Sequence, residues 1–413
     1  MTARGPGGAS RPMGILLLVM PAIAVGQYRG IALAGTIAFI AAILAHRQAF
    51  GRLPWPLVRH ESRTTLLALL PLAWCLLTAA WAEEPGRAAT TALSAAGFVL
   101  LGSATARALA EEPPARIERM LRLLFWGLAL GILLAFLDQV TGNALRAAVR
   151  GLREAPATLF FGLKPAGSLI AVLLPLAATL RQVPWQARAA LVAGGMITLL
   201  LLPATSAKIA AVLGLLALLA ARMLGPWLAR GIGAALAAGF VAAPLVFGAV
   251  LPRLPSLETI PPSAAHRILI WDFALGRIAE HPVVGWGGEA SRSVPGGRDV
   301  FDAATLTRFG LTSPASRAWF ARPEAQRLPL HTHNAMIQVW LELGGVGAVL
   351  VALLMLGLSW AAAASGPAGT GVLASAATVG MLSYGVWQEW WIGLLLVVIA
   401  VFSAMNRLPA RPR

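Results

Sequence analysis

Apolar runs of membrane-spanning length recur along this chain, and they limit its folds more than any motif does. A helix needs about 20 mostly apolar residues to cross a hydrocarbon layer about 30 Å thick. Inside that layer every backbone N–H and C=O must be bonded within its own segment, so each run is read as a helix. Twelve candidate spans fall at 13–26, 29–45, 64–82, 88–106, 121–139, 164–180, 188–203, 205–221, 231–251, 334–360, 369–386 and 390–405. Only 12% of the residues are charged, against about 25% in a soluble domain, which excludes a soluble globular class. The expected fold is an all-α polytopic membrane protein with twelve transmembrane helices. The expected division is 1–251 for helices one to nine, 252–333 for a loop or cap outside the membrane, and 334–413 for helices ten to twelve and a short tail.

The first run, RPMGILLLVMPAIAVGQ, also has the basic, apolar and small-residue order of a secretory signal. Eleven further spans need no separate targeting device, so it is read as an uncleaved first helix. Cys75 is the only cysteine and lies mid-span, so neither a disulfide nor a cysteine metal site is available.

The net charge of +16 comes from 31 Arg and 2 Lys against 17 acidic residues. Such a balance often means nucleic-acid binding, but here the arginines cluster in short loops between spans, which points to membrane topology. With the N-terminus in the cytoplasm, 17 arginines fall on inner segments, including Arg4, Arg11, the stretch HRQAFGRLPWPLVRHESR and the tail NRLPARPR. The short outer segments hold 5 Arg and 2 Lys. Both termini are therefore expected in the cytoplasm. Two outer groups run against the bias. Arg146, Arg150, Arg153 and Lys164 stand between spans five and six, and Lys208 follows Thr205 and Ser206 at the start of span eight. A cation placed against the insertion bias is a functional candidate by default. The plainer readings are an amphipathic helix on anionic headgroups for the arginines and a lysine snorkelling from a helix end for Lys208.

Residues 252–333 form the one long polar segment, with 9 arginines and 7 acids, and loops of this length escape the charge rule. Its side follows from counting spans. Ile268, Trp271, Leu275 and Ile278 recur at helical spacing, so an amphipathic helix is expected there, ended by His281, Pro282 and Gly285. The remainder is expected to fold over the bundle as a partly mobile cap, because connections between helices are usually a handful of residues and a long one signals a site.

The segment ends in HTHNAMIQVWLELGGVG, residues 331–347. Its helix is expected to begin at Thr332, leaving His331 on the loop and setting His333 about 100° from Asn334. Asn334, Gln338 and Glu342 then form a polar stripe, and Gly344 and Gly347 take small-residue packing positions. His-Asn, nine residues, Gly, two residues, Gly is a pattern that resembles the bacterial O-antigen ligase family, within the O-antigen polymerase and ligase superfamily. Two further stretches fit, PATSAKIAAVLGLL and HRILIWDFALGRIAEHPVVGWG, as does the long loop between spans nine and ten. The likeness runs from about 158 to 360; the earlier spans agree only in hydropathy. Lys208 stands where the family pattern usually shows Arg, which keeps a charge but loses a bidentate fork.

The resemblance implies a GT-C-like membrane-embedded glycosyltransferase with a periplasmic helical cap, set in the bacterial inner membrane. It implies transfer of polysaccharide from undecaprenyl pyrophosphate to a sugar hydroxyl of lipid A-core, without a nucleotide sugar or cofactor. Pyrophosphate is already a good leaving group and needs its growing charge held by fixed cations. Arg267 and Lys208 are the candidates for that work, with Lys164, Arg146 and Arg150 behind them. A neutral imidazole can take the proton of the attacking hydroxyl, and His333 is the candidate base, giving inversion at the anomeric carbon. His331, Asn334 and Glu342 are supporting candidates. The plainer reading of His333 is an interfacial hydrogen-bonding residue. Metal ligation by His331, His333, His281 and His266 is weakly signalled, because no helical His-x-x-x-His or Glu-x-x-His pair is present and cations already serve the charge. The alternatives are an O-antigen polymerase joining lipid-linked repeat units and, in a different class, a membrane transporter.

Overall fold

A computed structural model of the chain describes residues 8–55 and 63–409. Arg4, residues 56–62 of the first inner loop, Arg411 and Arg413 lie outside the described residues, so that part of the charge reading has no structural counterpart. In chain order the helices are α1 (Ser10–Gln27), α2 (Gly30–Phe50), α3 (Arg63–Thr78), α4 (Pro85–Ala110), α5 (Pro114–Val140), the short α6 (Ala144–Val149), α7 (Lys164–Ala177), α8 (Trp185–Leu201), α9 (Thr205–Leu224), α10 (Pro226–Val250), α11 (Pro262–Glu280), α12 (Ala303–Arg308), α13 (Pro314–Phe320), α14 (Ala335–Ala364), α15 (Gly366–Leu382) and α16 (Glu389–Met405). Among the described residues, pairing between extended segments is confined to one antiparallel bridge, Val300 with Gln326.

Each of the twelve apolar runs is a helix, and the chain is a multi-pass membrane protein. Among the described residues, eight helices are long and apolar enough to cross a membrane: α1, α2, α4, α5, α9, α14, α7 with its preceding turn (Ala157–Ala177), and α10 with its following turn (Pro226–Arg253). Helices α3, α8 and α16 are apolar but shorter. Proline opens α4, α5, α10 and α11, where its fixed φ suits the first turn and its missing N–H costs nothing.

Helix α7 is central. Every residue from Pro165 to Ala177 is buried, so this helix is apolar all round. Around it pack α1, α5, α8, α9 and α15, which share one core with it, and small residues there permit close approach. A Cβ on Gly127 would stand 2.2 Å from the Leu17 carbonyl oxygen, and one on Gly131 2.4 Å from Pro21.

The 252–333 segment folds on itself and onto the bundle. Leu257, Leu269, Phe301, Phe309 and Phe320 make a core of its own. Ile270, Ala274 and Ile278 of α11 pack instead with Ala243 of α10 and with Ile337 and Leu341 of α14. Helix α11 ends at Glu280, capped by His281, as its sequence requires. Its expected apolar face is shifted, however. Of Ile268, Trp271, Leu275 and Ile278 only Ile278 is fully buried, because α11 is covered on two sides and Leu269, Ile270 and Ala274 take the deepest positions.

The most consequential departure is in α14. Gly344 has φ 65° and ψ −165°, so the helix is broken there instead of continuing through small-residue packing positions. The break frees backbone groups that a membrane cannot hydrate. Residues 282–287 supply partners: Trp286 N donates to the Leu341 carbonyl (2.9 Å), Gly287 N to that of Glu342 (2.8 Å), Gly345 N to that of Pro282 (2.9 Å), and Val346 N to that of Val283 (3.2 Å). Trp74 Nε1 donates to the remaining Leu343 carbonyl at 2.9 Å. The two strands of contact meet glycine to glycine. A Cβ on Gly344 would stand 2.3 Å from the Val283 oxygen, and one on Gly285 2.4 Å from the Glu342 oxygen. Both residues also have positive φ, which costs an L-residue about 1–2 kcal/mol before any clash. Gly344→Ala and Gly285→Ala should each lower stability by more than about 2 kcal/mol. Gly380→Ala, where an added Cβ meets no atom within 4 Å, should leave it unchanged; thermal unfolding in detergent compares the three.

Candidate functional site

The approach to α14 differs from its sequence reading. The helix begins at Ala335, and Asn334 is its N-cap: Oδ1 accepts from Met336 N at 3.0 Å and Ile337 N at 3.1 Å. An Asn side chain in that place satisfies two of the free first-turn donors, and this outcompetes a start at Thr332. His333 is therefore not helical. It sits at φ 57°, in the left-handed region, half-buried outside the first turn.

This placement fixes the tautomers of both histidines. His333 Nδ1 lies 2.8 Å from the Ser383 carbonyl oxygen. A carbonyl only accepts, so Nδ1 carries the proton and Nε2 of the neutral ring carries the lone pair. His333 N donates to His331 Nδ1 at 3.1 Å, so the proton of neutral His331 is on Nε2. The two rings meet edge to face with centroids 4.3 Å apart. Burial pushes the His333 pKa down to about 4, opposed by the Ser383 bond and helped by the positive charges of Arg267 and Lys164. Burial also lowers His331 well below its usual value, with His333, Arg292 and Arg267 adding to the effect. Both rings are neutral at pH 7.

Arg267 and Lys164 thus bring positive charge to His333 from α11 and from the start of α7, 103 residues apart in sequence. Lys164 Nζ rests 4.4 Å from the Phe161 ring centroid. Lys208 is half-buried one turn into α9, whose Ser206 hydroxyl bonds to that of Ser383. Its helix reaches the loop that holds His333, while Arg267 and Lys164 are the cations that act on the ring.

The other basic candidates lie apart. Arg146 is 1% exposed, with Nε 2.6 Å from Asp138 Oδ2 and Nη2 2.5 Å from Asn143 Oδ1. This candidate for the pyrophosphate is instead drawn inward by a buried carboxylate eight residues earlier, near the end of α5. Arg150 and Arg153 are exposed. Among the metal candidates, His266 Nε2 meets the Gln326 carbonyl at 2.7 Å and His281 packs on Trp286. Among the described residues no three His, Cys, Asp or Glu side chains gather as a metal-binding group.

Glu342, fully buried, joins the parts together. Its carboxylate accepts from Gln338 Nε2 (3.0 Å), Ser291 Oγ (2.5 Å) and N (3.4 Å), Glu289 N (3.1 Å) and Trp387 Nε1. Gln338 Oε1 in turn accepts from Val386 N at 3.0 Å. One side chain of the expected polar stripe thereby fastens the 286–291 turn and the 383–388 turn to α14, on either side of the histidines. Sequence reading missed Ser383, Tyr384, Trp387, Gln388 and Arg292. The signal was present in SYGVWQEWW, an unusual density of aromatic and amide side chains for a short turn between two spans.

The fold and site together define a multi-pass helical membrane protein whose long inter-helix segment carries cationic and imidazole groups to the mouth of a broken helix. Residues 189–352 match the family model described as O-antigen ligase. The resemblance drawn from His333, Asn334, Gly344 and Gly347, from the start of α9 and from 266–287 is borne out over that stretch. A Rickettsia bellii protein named "Putative polysaccharide ligase" is 30% identical over 202 residues, covering 47% of this chain and 45% of the relative. A Rickettsia felis protein of the same name is 27% identical over 194 residues, 45% of this chain and 43% of the relative. The matched stretch thus spans less than half the length of these relatives.

Two outcomes follow from this geometry. Glu342→Ala removes the shared acceptor of five donors and should destabilise the protein by about 3 kcal/mol, read by thermal unfolding, because buried donors lose their partner. The unfolded chain protonates histidine near 6.5 while folded His333 does so near 4. Between those values the unfolded state binds more protons, so stability should fall as pH drops from 6.5 towards 4. His333→Gln should flatten part of that slope in unfolding curves measured across the range.

Proposed function

We propose that the protein is an O-antigen ligase: an inverting glycosyltransferase that moves polysaccharide from undecaprenyl pyrophosphate to a sugar hydroxyl of lipid A-core. The observation that carries this reading is the His333 tautomer. With Nδ1–H spent on the Ser383 carbonyl, Nε2 keeps its lone pair on a ring that feels the positive charge of two side chains, Arg267 and Lys164. That is the pairing the reaction needs: a base for the acceptor and positive charge for the leaving group.

In this mechanism Nε2 takes the proton of the acceptor hydroxyl as its oxygen bonds to the anomeric carbon. The carbon–oxygen bond to phosphate breaks on the opposite face, and undecaprenyl pyrophosphate leaves with the electron pair. Arg267 and Lys164 hold its charge, with Lys208 at the same mouth through α9. A bound diphosphate also offsets the cations that depress His333, which raises the affinity of Nε2 for a proton when the donor is in place. Cationic side chains do the charge neutralisation, so the step needs no metal. Arg146, locked to Asp138, is assigned to the fold, and exposed Arg150 to the surface. His331, Asn334 and Glu342 position the base.

All twelve expected helices cross the bacterial inner membrane in this reading, with both termini cytoplasmic and 252–333 as a periplasmic cap. The O-antigen ligase match at 189–352 and the polysaccharide ligase names of the Rickettsia proteins support it. Purified protein given lipid-linked polysaccharide and lipid A-core should place product on core. Longer lipid-linked chains with no core product would identify a polymerase, and substrate flux in proteoliposomes a transporter. His333→Ala should lower transfer by about 10²–10⁴-fold and Arg267→Ala by about 10²-fold or more, both inserting and folding normally. Full capping of lipopolysaccharide by the His333 variant would remove it from the mechanism.

A further inference from the structure

A chamber opens against His331, one member of the histidine pair. It has a volume near 810 Å³, at the upper end of the range of about 300–1,000 Å³ for small-molecule sites. Its walls come from the α1–α2 turn, α2, α4 and the α15–α16 turn, and His331 is its contact with the catalytic mouth; neither His333, Arg267, Lys164 nor Lys208 lines it. It descends along α4 from Thr91 past Ser94 and Gly97 to Leu101, about 15 Å of helix, and Leu93, Ser94 and Gly97 are exposed along that path.

The chemistry of the walls suits an uncharged, hydroxyl-rich ligand. Two arginines, Arg29 and Arg292, face two carboxylates, Glu289 and Glu389, and Arg292 Nε is already 2.5 Å from Glu289 Oε2. No surplus of positive charge remains for a diphosphate, in contrast to the Arg267 and Lys164 side. Aromatic rings supply flat apolar faces at Tyr28, Trp387 and Trp390. The N–H groups of both tryptophans are spent on Glu342 and on Gln388 Oε1, so their rings are what they present to a ligand. Polar groups are set among them. The Trp390 bond fixes the Gln388 amide so that its NH₂ lies 3.4 Å from His331 Nε2, which also carries a proton. Two donors cannot satisfy each other, and both are left to serve an acceptor oxygen between them. Thr36, Thr91 and Ser94 add hydroxyls on the far wall.

We propose that this chamber seats the saccharide of the acceptor glycolipid, which enters from the bilayer between α2 and α4 and presents a sugar oxygen to His331 Nε2–H and the Gln388 amide, while the diphosphate donor binds across the histidine pair on the Arg267 and Lys164 side. This placement rests on the ligase reading above, since it takes an acceptor sugar and a lipid diphosphate as the two substrates. His331 is then an acceptor-binding residue, and the ring contact with His333 carries the bound sugar to the base.

Gly97 offers a clean test. A Cβ there meets no atom within 4 Å, so Gly97→Trp adds bulk at the chamber wall with no clash at its Cβ, and Gly97→Ala is its control. Equilibrium binding in detergent is measured for two probes, rough-type lipopolysaccharide and undecaprenyl pyrophosphate, on wild type and both variants. The expected result is a tenfold or greater loss of lipopolysaccharide affinity in Gly97→Trp, undecaprenyl pyrophosphate within twofold of wild type, and Gly97→Ala unchanged for both. Loss of undecaprenyl pyrophosphate binding, loss of both ligands, or retention of both in Gly97→Trp overturns the placement. Binding is read without turnover, so the two readings fail separately. A wild type that binds both lipids and transfers nothing refutes the ligase reading, whereas a wild type that transfers while Gly97→Trp keeps its lipopolysaccharide affinity refutes the chamber alone.

Discussion

The broken backbone of α14 is the constraint on which the rest of the site depends. A helix that stops bonding to itself at membrane depth must have its freed groups met by other parts of the protein. Here residues 282–287 meet them along one short stretch, and only glycine at 285 and 344 lets the two backbones come close enough. The long segment is thereby fastened to the bundle by main-chain bonds, which hold position more rigidly than side-chain contacts on a loop. Glu342, two residues before the break, extends the same fastening by side chain to Ser291 and Trp387. Remove the break and the turns on either side of the histidines lose their common anchor.

From that anchor the chemistry of His333 follows by short steps. Gln338 and Glu342 hold the 383–388 turn, that turn presents the Ser383 carbonyl, and the carbonyl decides which imidazole nitrogen is bare. Asn334, by capping α14, keeps His333 out of the helix and in a left-handed conformation that costs of order 1–3 kcal/mol. Strain of that size persists only where neighbours over-determine it, and here a cap, a carbonyl and an edge-to-face ring contact all converge on two residues.

The site has two faces with different electrostatics. On one, Arg267 and Lys164 gather positive potential around a ring that burial keeps neutral. On the other, charges cancel and aromatic faces alternate with hydroxyl and amide groups. In the proposed reading this asymmetry sorts a diphosphate from a sugar before either reaches the base, and the pair His331 and His333 is the partition. Lys208, the strongest lysine candidate by sequence, enters less directly than Lys164, because α9 meets the Ser383 loop through Ser206, two residues before it.

Much was legible without coordinates. Hydropathy placed a helix at each of the twelve apolar runs, since each must satisfy its own backbone, though it left the ends of several open, α5 beginning at Pro114 and not at 121, and the glycines of 281–287 and 344–347 stood out as a pattern. What the sequence could not give was the purpose of those glycines, because they serve each other across 59 residues of chain, and close backbone approach leaves no trace in local periodicity. Arg146 read as a surface cation for the same reason: its partner Asp138 is hidden inside an apolar run. The residue types and membrane helices were thus determined by sequence alone, through local hydropathy and charge. The tautomer of His333, the role of Glu342 and the two faces of the site were decided only by tertiary structure, because each depends on backbone carbonyls and amides that every residue possesses and only folding brings to one place.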